Sequence, residues 1–423
     1  MLNFDDYIKT LTKLISFKSV YSSPTPDAPF GEENKNALQF FLKTALDMGF
    51  ETINYDNYAG EVIFGQGEEI GIIGHLDVVP VGSNWQTDPF TLTKIDGKYF
   101  ARGISDDKGP MLACLFALKE LKDSGKAPKR KIRLFVGCDE ESGWRDVEYL
   151  KTKTTLPEYG FSPDGNFPLS YAEKGMFEVE FTLPKLNGFY GVKGGTVVNA
   201  VCDYAIAIAK EGYVDVSLLK KHGLNLKNGN VIESFGKSAH GSTPHLGKNA
   251  IKPLLEYMRD MGENLGDVID NLFNDKQGVS KMQNEQGFVT FSPDLICEKD
   301  GLVKITCDCR VPAPFSFNDV MEKIDKFNLE VKTHARHQPL LVGKDGWFIR
   351  TLISAYNTVT NENAKPISMG GSTFARAFEK GCAFGCAFPS YDNKIHDAGE
   401  HETEQHLLTA YEIYKTAIFA LCL

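Results

Sequence analysis

The sequence is short of several things, and each shortage excludes a class of protein. No stretch approaches the ~18 successive apolar residues that a membrane span needs. Met1-Leu2-Asn3-Phe4-Asp5-Asp6 has neither the basic nor the apolar region of a secretory signal, so a cytoplasmic protein with no membrane partner is expected. A basic excess is lacking as well: the net charge is -10, whereas a nucleic-acid binder normally carries one. The nine cysteines are odd in number and scattered. Cys307-x-Cys309 and Cys382-x3-Cys386 lack the two-residue spacing of common zinc and redox pairs, so they read as buried reduced thiols rather than a disulfide framework. There is no internal repeat, no low-complexity segment and no linker rich in Pro and Ser.

What is present suits a globular enzyme. At 423 residues the chain is long enough for two domains, and 42% hydrophobic with 11% aromatic residues is ample for their cores. Helical stripes are expected over 5–17 and from about Glu32 to Met48, with Gly49 as a stop. Glu69-Ile70-Gly71-Ile72-Ile73-Gly74 reads as a buried strand that delivers His75. Pro110 opens a helix whose Met111–Leu118 segment is wholly apolar, and Lys131–Gly137 is a strand that empties into Asp139-Glu140-Glu141. Strand, helix and strand with acids at the carboxyl ends define an α/β catalytic domain: a central mixed sheet flanked by helices. After Gly175 the pattern changes to a mixture of hairpins and helices, including a helix expected over Asn199–Glu211. Beyond Trp347 the α/β pattern resumes, with helices to about Thr360 and over Thr373–Glu379, a strand over Ala383–Pro389 and a closing helix from about Glu404. The expected organisation is a catalytic domain in two parts, 1–175 and 337–423, interrupted by an inserted α+β lid domain, 176–336.

The chemistry lies in short pieces at the ends of these elements. His75 and Asp77 are two apart, a spacing that places both on one face of an extended chain. A carboxylate there holds the imidazole Nδ1–H and turns Nε2 toward a metal. Asp106 and Asp107 are adjacent, so one can bridge two metals while the other turns away; an acid pair at a helix N-terminus is the plainer alternative. Of Glu140 and Glu141, one neighbour can ligate while the other approaches a bound water as general base. Two carboxylates at the mouth of an apolar strand call for a cation or a basic partner. Asp164, in Ser162-Pro163-Asp164-Gly165, and His396 are ordinary when taken alone. His401-Glu-x3-His406 is one residue too long for the helical zinc-protease motif and is set aside.

Together the pieces say more. The order His75-x-Asp77, Arg102-Gly103-Ile104-Ser105-Asp106-Asp107-Lys108-Gly109-Pro110, Asp139-Glu140-Glu141-Ser142-Gly143, Ser162-Pro163-Asp164 and a late His396 resembles the dinuclear zinc peptidase family of aminoacylases, carnosinases and carboxypeptidase G. The wording is most similar to its bacterial dipeptidase branch, peptidase V or Xaa-His dipeptidase, as are Asn84-Trp85-x3-Pro89-Phe90 and Gly370-Gly371-Ser372-Thr373-Phe374-Ala375-Arg376. The resemblance implies a metal-dependent dipeptidase, with an N-acyl amino acid amidohydrolase or desuccinylase as the alternative. It implies that His75 and Asp164 bind one metal, Glu141 and His396 the other, and Asp106 both, across a cis Asp106–Asp107 peptide. Asp77 would orient His75, and Glu140 would be the general base. In the lid, Gly236-Lys237-Ser238-Ala239-His240-Gly241 matches the segment with an oxyanion-stabilising histidine, here His240. Asn199 and Arg310 match substrate-holding positions, and Gly370, Gly371 and Ser372 would offer backbone N–H groups to a substrate carboxylate. The implied cofactors are two divalent ions, zinc first, with manganese and cobalt also suited. The implied partner is a small peptide substrate, and the expected assembly is a monomer, with a homodimer as the alternative, because the inserted module is shorter than the lid of that branch.

Overall fold

The computed structural model describes residues 2–423, the side chains of 335 and 336 apart. The chain forms two compact units: the residues up to Tyr171 with Val342–Ile367 and Thr373–Leu423, and Ala172–Leu341 with Ser368–Ser372. The second unit thus takes in the expected insertion, a few residues at either end of it, and the short Ser368–Ser372 segment that the sequence left with the C-terminal part.

The first unit is α/β. Its sheet runs Glu51–Tyr55, Ala59–Phe64, Arg130–Gly137, Glu68–His75, Tyr159–Ser162 and Lys380–Ala383. The middle is parallel: Glu68–His75 pairs in parallel with both Arg130–Gly137 and Tyr159–Ser162, which also pairs in parallel with Lys380–Ala383. Strands covered on both faces read as continuous apolar runs, and Ile70-Gly71-Ile72-Ile73-Gly74 is one. Each face has its own cover. Gly71 and Gly160 are register partners, and a Cβ on either would strike the Phe378 ring, so that face packs against Phe374 and Phe378 together with Val147 and Leu150 of the helix Arg145–Lys153. On the other face a Cβ at Gly74 would meet Asp107 and Met111, which places the helix Lys108–Asp123 there. That helix packs against Glu404–Cys422, which packs in turn on Trp347–Thr360.

The second unit is built on an antiparallel sheet in the order Asn225–Lys227, Val231–Phe235, Tyr204–Ala209, Phe189–Gly194, Thr290–Lys299, Leu302–Val311, Gly175–Thr182 and Glu330–His337. Its core contains Phe177, Val179 and Phe181 from one strand, Ala205, Ala207 and Ala209 from another, and Leu254, Leu255 and Met258 from the helix Ile251–Asp260. Alternate residues of Gly175–Thr182 are buried, as expected of a sheet with one covered face.

Four expected elements are corrected. Asn199–Glu211 holds a strand, Tyr204–Ala209, not a helix. Its small alanines alternate with larger residues and fill the buried side, while Tyr204, Ile206 and Ile208 point the other way, which is period two. The expected helix Thr373–Glu379 is a single 3-10 turn, Phe374–Ala377. The expected strand Ala383–Pro389 ends at Ala383, because Gly385 takes φ +99°, outside the extended region. The helix expected to open at Pro110 begins two residues earlier, with Pro110 in its first turn, where a missing N–H costs nothing. Among the described residues no helix is long and apolar enough to cross a membrane. All nine cysteines are free thiols, buried except for Cys297.

Candidate active site

The carboxyl ends of the parallel strands carry the acids. Glu68–His75 ends on His75, and its chain continues to Asp77. His75 Nδ1 lies 3.0 Å from the Asp77 carbonyl and 3.3 Å from its carboxylate. Both are acceptors, so Nδ1 carries a hydrogen, and in the neutral ring Nε2 is the nitrogen left with the lone pair. Asp77 also reaches a second loop, where its two oxygens accept from the backbone N–H groups of Glu140 (3.2 Å) and Glu141 (3.0 Å). One carboxylate therefore sets the histidine and the neighbouring acidic loop together.

Asp106 sits in the middle. Its Oδ1 is 3.0 Å from His75 Nε2, and its Oδ2 is 2.9 Å from His396 Nε2. His396 Nε2 also lies 3.1 Å from Glu141 Oε1, and Asp164 Oδ2 is 3.7 Å from His75 Nε2. Ligand atoms of His75, Asp106 and Glu141 fall within 4.8 Å of one another. The Asp106–Asp107 peptide is cis. Asp107 turns away to accept from the His75 backbone N–H at 3.2 Å, in space that exists because residue 74 is glycine. The structure thus brings together His75, Asp77, Asp106, Glu140, Glu141, Asp164 and His396, from loops far apart in sequence.

The electrostatics are those of crowded acids in a dry place. Burial pushes the Glu140 carboxyl well above its ordinary value, His75 opposes this, and the charges of Asp164, Glu141 and Asp106 add to it. Burial likewise raises Glu141 and Asp164, helped in each by Asp106 and resisted by a histidine. Burial also works on Asp106, yet hydrogen bonds from His396 and His75 outweigh it and hold this carboxyl well below the usual range. At the histidines burial disfavours the cation, but the carboxylates prevail: His75 is raised well above its usual value and His396 is pushed up to about 11. His75 Nε2 and Asp106 Oδ1 are buried and only 3.0 Å apart. So close an approach needs either a proton on Nε2 or, with the ring neutral, a cation between the two atoms. Two imidazoles and three carboxylates are donors that borderline divalent metals accept, so these residues fit such ions.

Surrounding groups that sequence reasoning missed fix these loops. Asp139, grouped there with the acids, is held by Arg145 through Nε (2.7 Å) and Nη2 (2.5 Å). Buried Asp146 accepts from the N–H groups of Cys138, Asp139 and Val147. Buried Glu400 accepts from the N–H groups of Gly103, Ser105 and Asp106 and from Arg102. No local signal marks Glu400, since these partners lie almost three hundred residues earlier. His401 and His406, set aside as ligands, contact Lys98 and Glu402 respectively.

The remaining expected residues belong to the second unit. There Gly241 N–H donates to the Asn199 carbonyl, Ala200 bridges His240, and Gly241 lies against the Asp308 carboxylate. Asp308 in turn holds Arg310 Nε at 2.8 and 3.0 Å. His240 is exposed, with Nδ1 2.7 Å from Ser242 Oγ, and Gly370 lies against that same serine. Ser372 Oγ is buried, with no hydrogen-bond partner among the described residues. Asn199, His240, Arg310 and Gly370 thus share one neighbourhood of the inserted unit.

Comparison with known proteins identifies the family. A Staphylococcus epidermidis protein named "Putative dipeptidase" is 31% identical over 454 residues, covering 98% of this chain and 97% of that protein. Among solved structures, human carnosine dipeptidase 1 is similar with a TM-score of 0.63 at 14% identity, covering 99% of this chain and 96% of that one. A Bacillus subtilis structure described as a dinuclear metal binding peptidase from the M20 family is similar with a TM-score of 0.55 at 11% identity, each chain 99% covered. At such identities the likeness is one of fold. The profile of peptidase family M20/M25/M40 matches residues 71–420, most of the chain, and the chain belongs to that family.

Proposed function

We propose that this peptidase is a metal-dependent dipeptidase, working with two divalent cations held by His75, Asp106, Glu141, Asp164 and His396. The observation that carries the reading is Asp106, whose two oxygens face two different histidines. His75 and Asp164 would hold one ion and His396 and Glu141 the other, with Asp106 shared. Such ions, when bound, make water acidic enough to ionise near neutral pH and polarise a carbonyl. Zinc suits the donor set, as do manganese and cobalt.

The chain's own residues do the rest. Asp77 fixes the His75 ring through Nδ1 and anchors the loop that carries Glu140. Glu140, with its affinity for a proton raised by burial and by its acidic neighbours, takes the proton from the attacking water at its carboxylate. It then delivers that proton to the departing amine nitrogen as the C–N bond breaks. His240 donates to the developing oxyanion. Asn199 and Arg310 hold the substrate, and the backbone N–H groups of Gly370, Gly371 and Ser372 receive its carboxylate. On this reading the protein acts on small peptides, in the cytoplasm and as a monomer.

The test is a hydrolysis panel of dipeptides, tripeptides and N-acyl amino acids, run with metal-free protein and again with zinc, manganese or cobalt restored. Dipeptides should be cleaved fastest, and only with metal. Preference for N-acyl amino acids would replace the dipeptidase reading by an amidohydrolase one.

A further inference from the structure

The buried acid that lies behind the candidate site is unusually well supplied with donors. Glu400 and Arg102 are fully enclosed and pair at 2.7 Å. A carboxylate in such a place is costly unless saturated. Glu400 is saturated by one loop: Oε1 accepts from Ser105 N–H at 2.9 Å and Asp106 N–H at 3.3 Å, and both oxygens lie 3.1 Å from Gly103 N. These bonds hold the backbone of Asp106 itself.

Arg102 reaches the opposite way. Its Nη2 donates to the carbonyls of His396 (3.3 Å) and Asp397 (3.4 Å), while its backbone N–H donates to Pro89. Its guanidinium carbon lies 5.4 Å from the Trp85 ring centroid, and Trp85 Nε1 is tied to the Val81 carbonyl. The guanidinium plane is thereby fixed by an aromatic face on one side and a carboxylate on the other. His396 needs such help, because its side chain is half exposed and its backbone takes φ +65°, where a non-glycine residue is disfavoured.

We propose that Arg102 and Glu400 form a positioning pair that fixes the separation of Asp106 from His396, and so the fit of the cation on the His396 side. Glu400 sets one ligand through its peptide N–H, and Arg102 sets the other through its carbonyl. Neither touches substrate. The inference rests on the two-cation reading above and adds to it an asymmetry between the two cation positions.

The test is zinc binding by the full chain, stripped of metal and titrated against a chromophoric chelator so that successive affinities are resolved. Outer groups of this kind typically change metal affinity by about 10–100-fold. Glu400→Gln is expected to weaken one of the two zinc affinities by that factor and to change the other little. His396→Ala should weaken the same step, and in that background Glu400→Gln should add almost nothing, since without the His396 imidazole no Asp106–His396 separation is left to fix. Arg102→Lys, which keeps the charge but not the two-way reach, is expected to weaken the same step and serves if Glu400→Gln fails to fold. Equal weakening of both steps, additive effects with His396→Ala, or unchanged affinities in folded protein would each overturn the proposal. Wild-type protein that takes up fewer than two zinc ions would instead refute the two-cation reading itself.

Discussion

In the first unit the charged groups stand at the ends of parallel strands, buried, with carboxylates outnumbering their basic partners. In the second the sheet is antiparallel, and its buried Arg310 has a carboxylate beside it on the same strand, Asp308. His240 and Asn199 there are exposed. The contrast follows from sheet type. Parallel strands end together at one edge of the sheet and deliver several loops to one spot, so acids accumulate there, while Arg145 and Arg102 engage the flanking Asp139 and Glu400. Residues two apart on a strand share a face, so Asp308 and Arg310 meet as neighbours. Such a surface suits holding and orienting a substrate, whereas the uncompensated cluster of the first unit suits a strong Lewis acid.

The largest effect that sharpens this comparison is expected from Glu140→Gln. If the first unit performs the chemistry, this change should leave both metals bound, because Glu141 and not Glu140 faces His396. It should lower kcat by ~10²–10⁴-fold, the usual loss of a general base. Metal analysis alongside steady-state kinetics checks both parts, and near-normal kcat would assign the base elsewhere.

A smaller effect belongs to the second unit. His240→Ala should likewise leave the metals in place and lower kcat by ~10²–10³-fold, with little change in KM, the mark of an interaction made mainly in the transition state. A change confined to KM would make His240 a binding residue, and no change in either would make it an ordinary surface histidine. Either result would leave the catalytic division between the units resting on the first alone.

How much of this was legible in the sequence differs between the two units for the same reasons. The strand Glu68–His75 announced itself, because burial on both faces demands an unbroken apolar run and the next residues must carry the site. His75 and Glu141 stand out because they lie at or just after the ends of such strands, whereas Asp106, Asp164 and His396 are singled out by the resemblance of their motifs to the family. Glu400 could not, since its meaning lies in N–H groups of residues 103–106 that only folding brings near. Tyr204–Ala209 was misread because alanine favours helices and an Ala/Ile alternation is short enough to suit either period. Its pairing with Val231–Phe235 and Phe189–Gly194 decides the matter, and pairing is not local.

The smallest expected effect concerns stability and tests whether the second unit is as well compensated as the Asp308–Arg310 pair suggests. Asp294 is fully buried there; Ser292 Oγ donates to its Oδ1 at 2.6 Å, and its Oδ2 has no partner. Burial raises this carboxyl to about 8, with the Ser292 hydrogen bond and Arg310 pulling it down and the charge of Asp308 pushing it up. An unfolded aspartate titrates near ~4. Between these values the folded protein keeps a proton that the unfolded chain has released, so stability is lost as pH rises through that window and the loss is complete above about 8. Asp294→Asn mimics the protonated acid and does not titrate. The variant should match wild type near pH 4 and exceed it at pH 8.5 by about 1–3 kcal/mol, a discounted share of the full linkage value because structural relaxation and water penetration soften the cost of a buried charge. For a unit of this size that corresponds to roughly 2–4 °C in Tm per kcal/mol. Melting curves at the two pH values decide it: a gain only at the higher pH identifies an uncompensated acid inside the second unit, whereas equal destabilisation at both would show that the ionised carboxylate is a satisfied part of the fold.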